Sequence, residues 1–130
     1  MKGYGIKSGG GGIHVDNPQR IISMLFYLGG YKTINGGEHR IWKKKNEEEI
    51  EIYETIQPKE NSIIVSLQNN NAFHDVNPVT SIDGTRNTFY LAISCTNQIW
   101  KNVDVNNFNL KYCKNRVKPN LFNKILSKIL

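Results

Sequence analysis

The sequence is poor in cysteine and has no long apolar run. Its 130 residues include two cysteines, Cys95 and Cys113, which are too few for a disulfide scaffold or a cysteine zinc site. No apolar stretch approaches the roughly 18 residues of a membrane-spanning helix, and residues 1–5 lack the apolar segment of a secretory signal. These absences argue against a helical membrane protein and a disulfide-rich secreted domain. The length suits a single domain.

Alanine and arginine are also scarce. There are 2 alanines and 4 arginines, against 17 asparagines, 16 isoleucines and 13 lysines. Asparagine, isoleucine and lysine have AT-rich codons, whereas alanine and most arginine codons are GC-rich. The composition therefore indicates an AT-rich genome, such as that of a virus, a phage or a low-GC bacterium.

The net charge of +6 comes from the end of the chain. Residues 1–100 hold ten basic and ten acidic side chains, so residues 101–130 carry the whole excess. A basic segment of this kind is suited to nucleic-acid phosphates, anionic lipid or an acidic protein surface, and it is equally suited to keeping a chain soluble. The basic tail consists of Lys111, Lys114, Arg116, Lys118, Lys124 and Lys128.

The hydrophobic patterning predicts an α+β fold with a mainly antiparallel sheet. Asp16-Asn17-Pro18 is typical of a helix start, and the apolar residues from Ile21 to Leu28 are spaced for one helix that ends at Gly29-Gly30. Segments 39–45 and 49–56 predict a hairpin, in which lysines lie across from glutamates. Residues 62–67 and 88–95 predict further strands, and residues 69–84 a long polar connection.

Both termini are expected to stand apart from a domain over residues 13–118. Residues 1–12 form a glycine-rich arm, in which Gly9, Gly10, Gly11 and Gly12 hold no side chain for packing; neighbouring chains would have to order it. Residues 119–130 predict an amphipathic helix that docks on the protein's own sheet, on a neighbouring subunit or, less favourably, on a membrane surface. Its apolar face consists of Leu121, Phe122, Ile125, Leu126, Ile129 and Leu130.

Two short motifs place a histidine beside a carboxylate. His14-Val15-Asp16 and His74-Asp75 each offer the residue types of a metal site or a general base. Neither motif has a third ligand at a recognisable spacing, and both fall in predicted loops. The sequence therefore predicts surface histidines, with no metal site, cofactor or complete catalytic motif.

One stretch resembles a known family. Residues 21–53 combine a helical pattern, the turn glycine Gly36, His39 and a hairpin, and this arrangement is similar to the core of HicA-type toxins. The resemblance implies a small RNA-binding fold that cleaves messenger RNA, with His39 as its catalytic histidine. From the residues alone, His39 has no general-base partner nearby in the sequence, so a structural role is expected.

Four features together favour a structural subunit of a virus or phage particle. They are the glycine arm, the basic tail, the asparagine-rich connection over residues 69–84 and the AT-rich composition. A neck, connector or tail-terminator-like protein is expected, in the virion or the host cytoplasm. Its partners would be other subunits, in a homo-oligomer or a larger assembly, with nucleic acid reached through the basic tail. The alternatives are the RNA-cleaving toxin and a phage-encoded inhibitor of a host system.

Overall fold

The computed structural model describes residues 12–103, and this part of the chain is built from β-strands alone. The α+β prediction is wrong here, because residues 12–103 contain no helix, and hence none that could cross a membrane. Most of the glycine arm, the basic tail and the predicted helix over residues 119–130 lie outside the described residues. The strands are β1 (Arg20–Asn35), β2 (His39–Lys44), β3 (Ile50–Ile56), β4 (Ser62–Leu67), β5 (His74–Val76) and β6 (Ser81–Ser94).

The strands form two antiparallel three-stranded sheets. The larger sheet has the order β4-β1-β6, and the smaller sheet has the order β3-β2-β5. In the larger sheet Leu25 of β1 lies between Ile64 of β4 and Tyr90 of β6. In the smaller sheet His39 of β2 pairs with Val76 of β5. Side chains from both sheets line one cleft, so the sheets enclose it between them.

The predicted N-terminal helix is instead the central strand β1. Its apolar residues do not alternate cleanly with polar ones, because β1 carries apolar side chains on both faces of the sheet. A short apolar run of this kind matches a helix and a buried strand equally well by periodicity. The adjacent isoleucines Ile21 and Ile22 and the aromatic pair Phe26-Tyr27 favour the strand, and they were the available signal.

The predicted hairpin is confirmed. Strands β2 and β3 pair antiparallel, and Lys43 lies opposite Glu51 with its Nζ 3.4 Å from the Oε1 of that residue. The predicted strand at 62–67 is β4, and that at 88–95 forms most of the second half of β6. The predicted connection over residues 69–84 is only partly a loop, since it also contains β5 and the start of β6.

A compact core lies on the side of the smaller sheet away from the cleft. Phe73 is fully buried, and it packs in a cluster with Ile13, Val15, Trp42 and Ile50. Next to this cluster the buried carboxylate of Asp75 accepts hydrogen bonds from the guanidinium of Arg40 and from Nε1 of Trp42, the latter at 2.9 Å. These bonds join β2 to β5 and hold the backbone on either side of His74.

The larger sheet has two different faces. Ser23, Leu25 and Tyr27 alternate along β1 and point to the cleft side, as the two-residue period of a strand requires. The opposite face carries exposed apolar side chains on both flanking strands, at Ile63, Val65, Leu67, Phe89, Leu91 and Ile93.

Candidate metal centre

Three potential metal ligands meet at one end of the cleft. His14 and Asp16 lie in the segment that leads into β1, and His74 begins β5. The Nε2 atoms of His14 and His74 lie 3.9 and 3.8 Å from Oδ1 of Asp16. All three ligand atoms lie within 4.8 Å of one another.

A pair of backbone hydrogen bonds brings the two histidines together. His14 and His74 form an isolated antiparallel bridge, in which each backbone N–H donates to the carbonyl of the other residue at 3.0 and 2.9 Å. Their ring centroids are consequently 4.5 Å apart. This bridge supplies the third ligand that the sequence analysis lacked, because it joins two motifs that are far apart in the chain.

Both imidazoles are oriented for metal binding through Nε2. Nδ1 of His14 lies 2.8 Å from the carbonyl oxygen of Gly12, and Nδ1 of His74 lies 2.9 Å from that of Ala72. A carbonyl oxygen can only accept, so in the neutral form of either ring the proton lies on Nδ1 and Nε2 keeps a free lone pair. Burial lowers the pKa of His74, although its hydrogen bond to Ala72 acts in the opposite direction. The neutral ring is the form that binds a metal ion.

The cleft beside these ligands has a volume of about 380 Å³. The larger sheet contributes Ser23, Leu25, Ile64 and Tyr90 to its wall, while His39 and Val76 come from the smaller sheet. The cleft therefore offers a space next to the three ligands in which a small organic molecule has polar and apolar surfaces to contact.

His39 lies in this cleft, 7% exposed, with its ring stacked on that of His74 at a centroid distance of 5.4 Å. Neither of its ring nitrogens has a hydrogen-bond partner among the described residues. Burial, and then the nearby His74, lower the pKa of His39 from 6.5 to about 4. His39 is therefore a neutral imidazole at pH 7, in contact with the ligand cluster.

Two buried polar atoms belong to the central strand and a flanking strand of the larger sheet, Tyr27 to β1 and Arg86 to β6. Nη1 of Arg86 and the hydroxyl of Tyr27 are both buried and lack a hydrogen-bond partner among residues 12–103. Burial raises the pKa of Tyr27, and the positive charge of Arg86 acts against this by lowering it. Gly37 gives Arg86 its space, because a Cβ there would lie 2.7 Å from Nη1. Neither residue belongs to a recognisable motif in the sequence.

A family model of the 2OG-Fe(II) oxygenase superfamily matches residues 2–93, which is more than half of the chain. The chain belongs to this superfamily. Comparisons with curated proteins and with solved structures give no match. The prediction of a virion subunit is wrong, because the matched family is one of enzymes; the toxin and host-inhibitor alternatives do not agree with it either.

The residues present fit an Fe(II) centre. Two neutral imidazoles and one carboxylate form the ligand set typical of non-haem Fe(II) oxygenases, which leaves coordination positions open for other molecules. Here His14, Asp16 and His74 provide that set, and both imidazoles have their Nδ1 atoms fixed by backbone carbonyls. This ligand set is seen in the geometry of the structure alone, and it agrees with the family match.

The residues singled out from the sequence fall in different places. His14, Asp16 and His74 come together in the site, His39 lies beside them, and Asp75 supports the strand from behind. Gly12 is exposed and contacts the site through its carbonyl. The other residues proposed for the interface and the basic tail lie outside the described residues and stay predictions: Gly9, Gly10, Gly11, Leu121, Phe122, Ile125, Leu126, Ile129, Lys111, Lys114, Arg116, Lys118, Lys124 and Lys128.

Proposed function

We propose that this chain is an Fe(II)- and 2-oxoglutarate-dependent oxygenase whose metal ligands are His14, Asp16 and His74. The observation that carries the proposal is the convergence of two Nε2 atoms and one carboxylate oxygen at the end of an open cleft. When bound, Fe(II) and 2-oxoglutarate supply the O₂-dependent oxidation of an organic substrate, coupled to conversion of the 2-oxo acid to succinate and CO₂. The role of the polypeptide chain is to hold these groups and to shape the cleft.

Arg86 and Tyr27 are suited to hold the far carboxylate of 2-oxoglutarate. A buried N–H of a guanidinium, like a buried hydroxyl, is costly without a hydrogen-bond partner. A carboxylate satisfies both, because it accepts from Arg86 and from the Tyr27 hydroxyl at once. The two buried, unpaired donors support this assignment.

His39 would form the wall between the metal ligands and this anion site. It contacts His74 on one side, and Gly37, two residues before it, leaves the space that Arg86 occupies. Its unpaired nitrogens give the bound molecule one donor and one acceptor within an otherwise largely apolar stretch that includes Leu25 and Val76. A neutral imidazole serves here, since it adds no second cation beside the metal.

Metal binding tests the proposal directly. The full chain is titrated with Fe(II) under argon, and with Mn(II) as an O₂-inert stand-in, by calorimetry. We expect one site per chain in the wild type and no measurable site in Asp16→Ala or His74→Ala. Asp83→Ala, which removes an exposed carboxylate of β6, is the matched control and should bind normally. A wild-type chain that binds neither ion overturns the proposed function.

The anion site is tested with 2-oxoglutarate itself. Binding to the Mn(II)-loaded chain is measured by calorimetry, and succinate formation is measured with Fe(II) and O₂. Arg86→Gln should weaken 2-oxoglutarate binding at least tenfold and leave the affinity for Mn(II) unchanged, because the charge-assisted pair is lost while the three metal ligands stay. Unchanged 2-oxoglutarate affinity in Arg86→Gln would place the carboxylate elsewhere.

A further inference from the structure

A chain of hydrogen bonds lies behind Asp16 on the larger sheet. Oγ of Ser23 is 2.5 Å from Oδ2 of Asp16 and 3.0 Å from the hydroxyl of Tyr90, and Nη1 of Arg20 is 2.6 Å from that same hydroxyl. Ser23 and Arg20 belong to β1 and Tyr90 to β6. Because Ser23 pairs with Ala92, Tyr90 is its diagonal neighbour on the same face.

The two ends of this chain decide the direction of every hydrogen in it. A carboxylate only accepts, so the Ser23 hydroxyl must donate to Asp16. A guanidinium only donates, so the Tyr90 oxygen must accept from Arg20. Ser23 has only one hydroxyl hydrogen, and it is donated to Asp16. In the bond between Ser23 and Tyr90 the hydrogen must therefore come from Tyr90. The order of donation is Arg20 to Tyr90 to Ser23 to Asp16, from a cation to an anion.

The two oxygens of the Asp16 carboxylate therefore have different partners. Oδ2 is occupied by Ser23, while Oδ1 faces the Nε2 atoms of His14 and His74 at 3.9 and 3.8 Å. Oδ1 is thus the oxygen turned toward the metal, and the bond from Ser23 to Oδ2 opposes rotation of the carboxylate away from this orientation. Hydrogen bonds of this kind to a ligating carboxylate orient the ligand and raise metal affinity.

Arg20 is itself held in place. Its guanidinium carbon lies 5.7 Å from the centre of the Tyr90 ring, and its backbone carbonyl accepts a hydrogen bond from Nε1 of Trp100 at 3.4 Å. The start of the chain of hydrogen bonds is therefore fixed to the segment that follows β6.

We propose that Arg20, Tyr90 and Ser23 form a positioning relay that fixes Asp16 as a one-oxygen metal ligand. The inference rests on the proposed metal centre and adds three residues that are not metal ligands themselves. Ser23 acts directly on Asp16, and Tyr90 and Arg20 act through Ser23.

The test measures the affinity of the full chain for Mn(II) and Fe(II) by calorimetry under argon. Ser23→Ala should weaken binding roughly 10–100-fold, as loss of an outer-shell partner does. Ser23→Thr keeps the hydroxyl and should bind within about threefold of the wild type. Ser94→Ala removes an exposed serine of the same sheet and should bind as the wild type does.

A double-mutant cycle separates the relay from a merely structural role. Tyr90→Phe should weaken Mn(II) binding by itself, yet add little to Ser23→Ala, because Tyr90 acts only through the Ser23 hydroxyl. Melting temperatures in the presence of a chelator verify that each variant folds.

The outcomes distinguish the two proposals. A wild-type chain without metal affinity overturns the proposed function. A wild-type chain that binds metal, with Ser23→Ala binding equally well, overturns the relay alone. Additive losses in Ser23→Ala and Tyr90→Phe overturn the order of donation, because they show that Tyr90 acts independently of Ser23.

Discussion

Replacing His39 should change how the stability of the metal-free protein depends on pH. The unfolded chain binds a proton at His39 with a pKa near 6.5, whereas in the folded protein burial lowers this pKa to about 4. Between these values the unfolded state holds the extra proton, so stability falls as the pH falls. Above pH 6.5 the group is neutral in both states and contributes nothing to the pH dependence.

The size of the effect follows from the two pKa values. From pH 7 to pH 5, His39 should cost about 2 kcal/mol of unfolding free energy, and the cost should approach about 3 kcal/mol near pH 4. With His39 only 7% exposed, little solvent screening reduces this figure. His74 contributes in the same direction, because burial lowers its pKa as well.

The assay is urea unfolding at pH 7 and pH 5 with a chelator present, so that no bound metal competes for the histidines. Comparison with His39→Leu and His39→Gln cancels the contributions of the carboxylates, which all three proteins share. From pH 7 to pH 5, the unfolding free energy of both variants should fall by about 2 kcal/mol less than that of the wild type. If both keep the full wild-type loss, His39 is protonated in the folded protein, and the account of it as a buried neutral imidazole is refuted.

Three further predictions concern stability. Asp75→Ala removes the buried acceptor of an ion pair and should cost about 3–5 kcal/mol in urea unfolding; a loss below 1 kcal/mol would contradict its placement. Gly36→Ala should lower the melting temperature by several degrees, because Gly36 has a φ of 82° and an added Cβ would lie 2.0 Å from a backbone oxygen. For residues 119–130 the sequence pattern predicts that Leu126→Asp lowers the melting temperature and Lys124→Asp does not; equal effects would contradict the predicted apolar face.

The sequence predicted the strands whose pattern is local. The β2–β3 hairpin shows itself through alternation, a short polar turn and complementary charges, all within 18 residues. The pattern of strand β1 resembles that of a helix because both of its faces carry apolar side chains, and such a strand lacks the alternation that identifies it. Whether this apolar run forms a helix or a strand is decided by its pairing with β4 and β6, which periodicity does not encode.

The sequence motifs predicted no metal site, although they contain the three candidate ligands. His14, Asp16 and His74 were recognised as possible ligands, but the backbone bridge that joins the two motifs depends on the folded arrangement of both sheets. Arg86 and Tyr27 could not be found from the sequence, since their importance lies in being buried without partners. The similarity of residues 21–53 to HicA-type toxins used a glycine and a histidine that here belong to a turn and to the cleft wall.

The bridge between His14 and His74 makes the proposed metal site a cross-link within the chain. It joins two segments about sixty residues apart, and an ion bound there closes that loop. At a free iron concentration 100 times its dissociation constant, the ion would add about 2.7 kcal/mol to stability. Without iron this contribution is lost, and the segment before β1 would open more often.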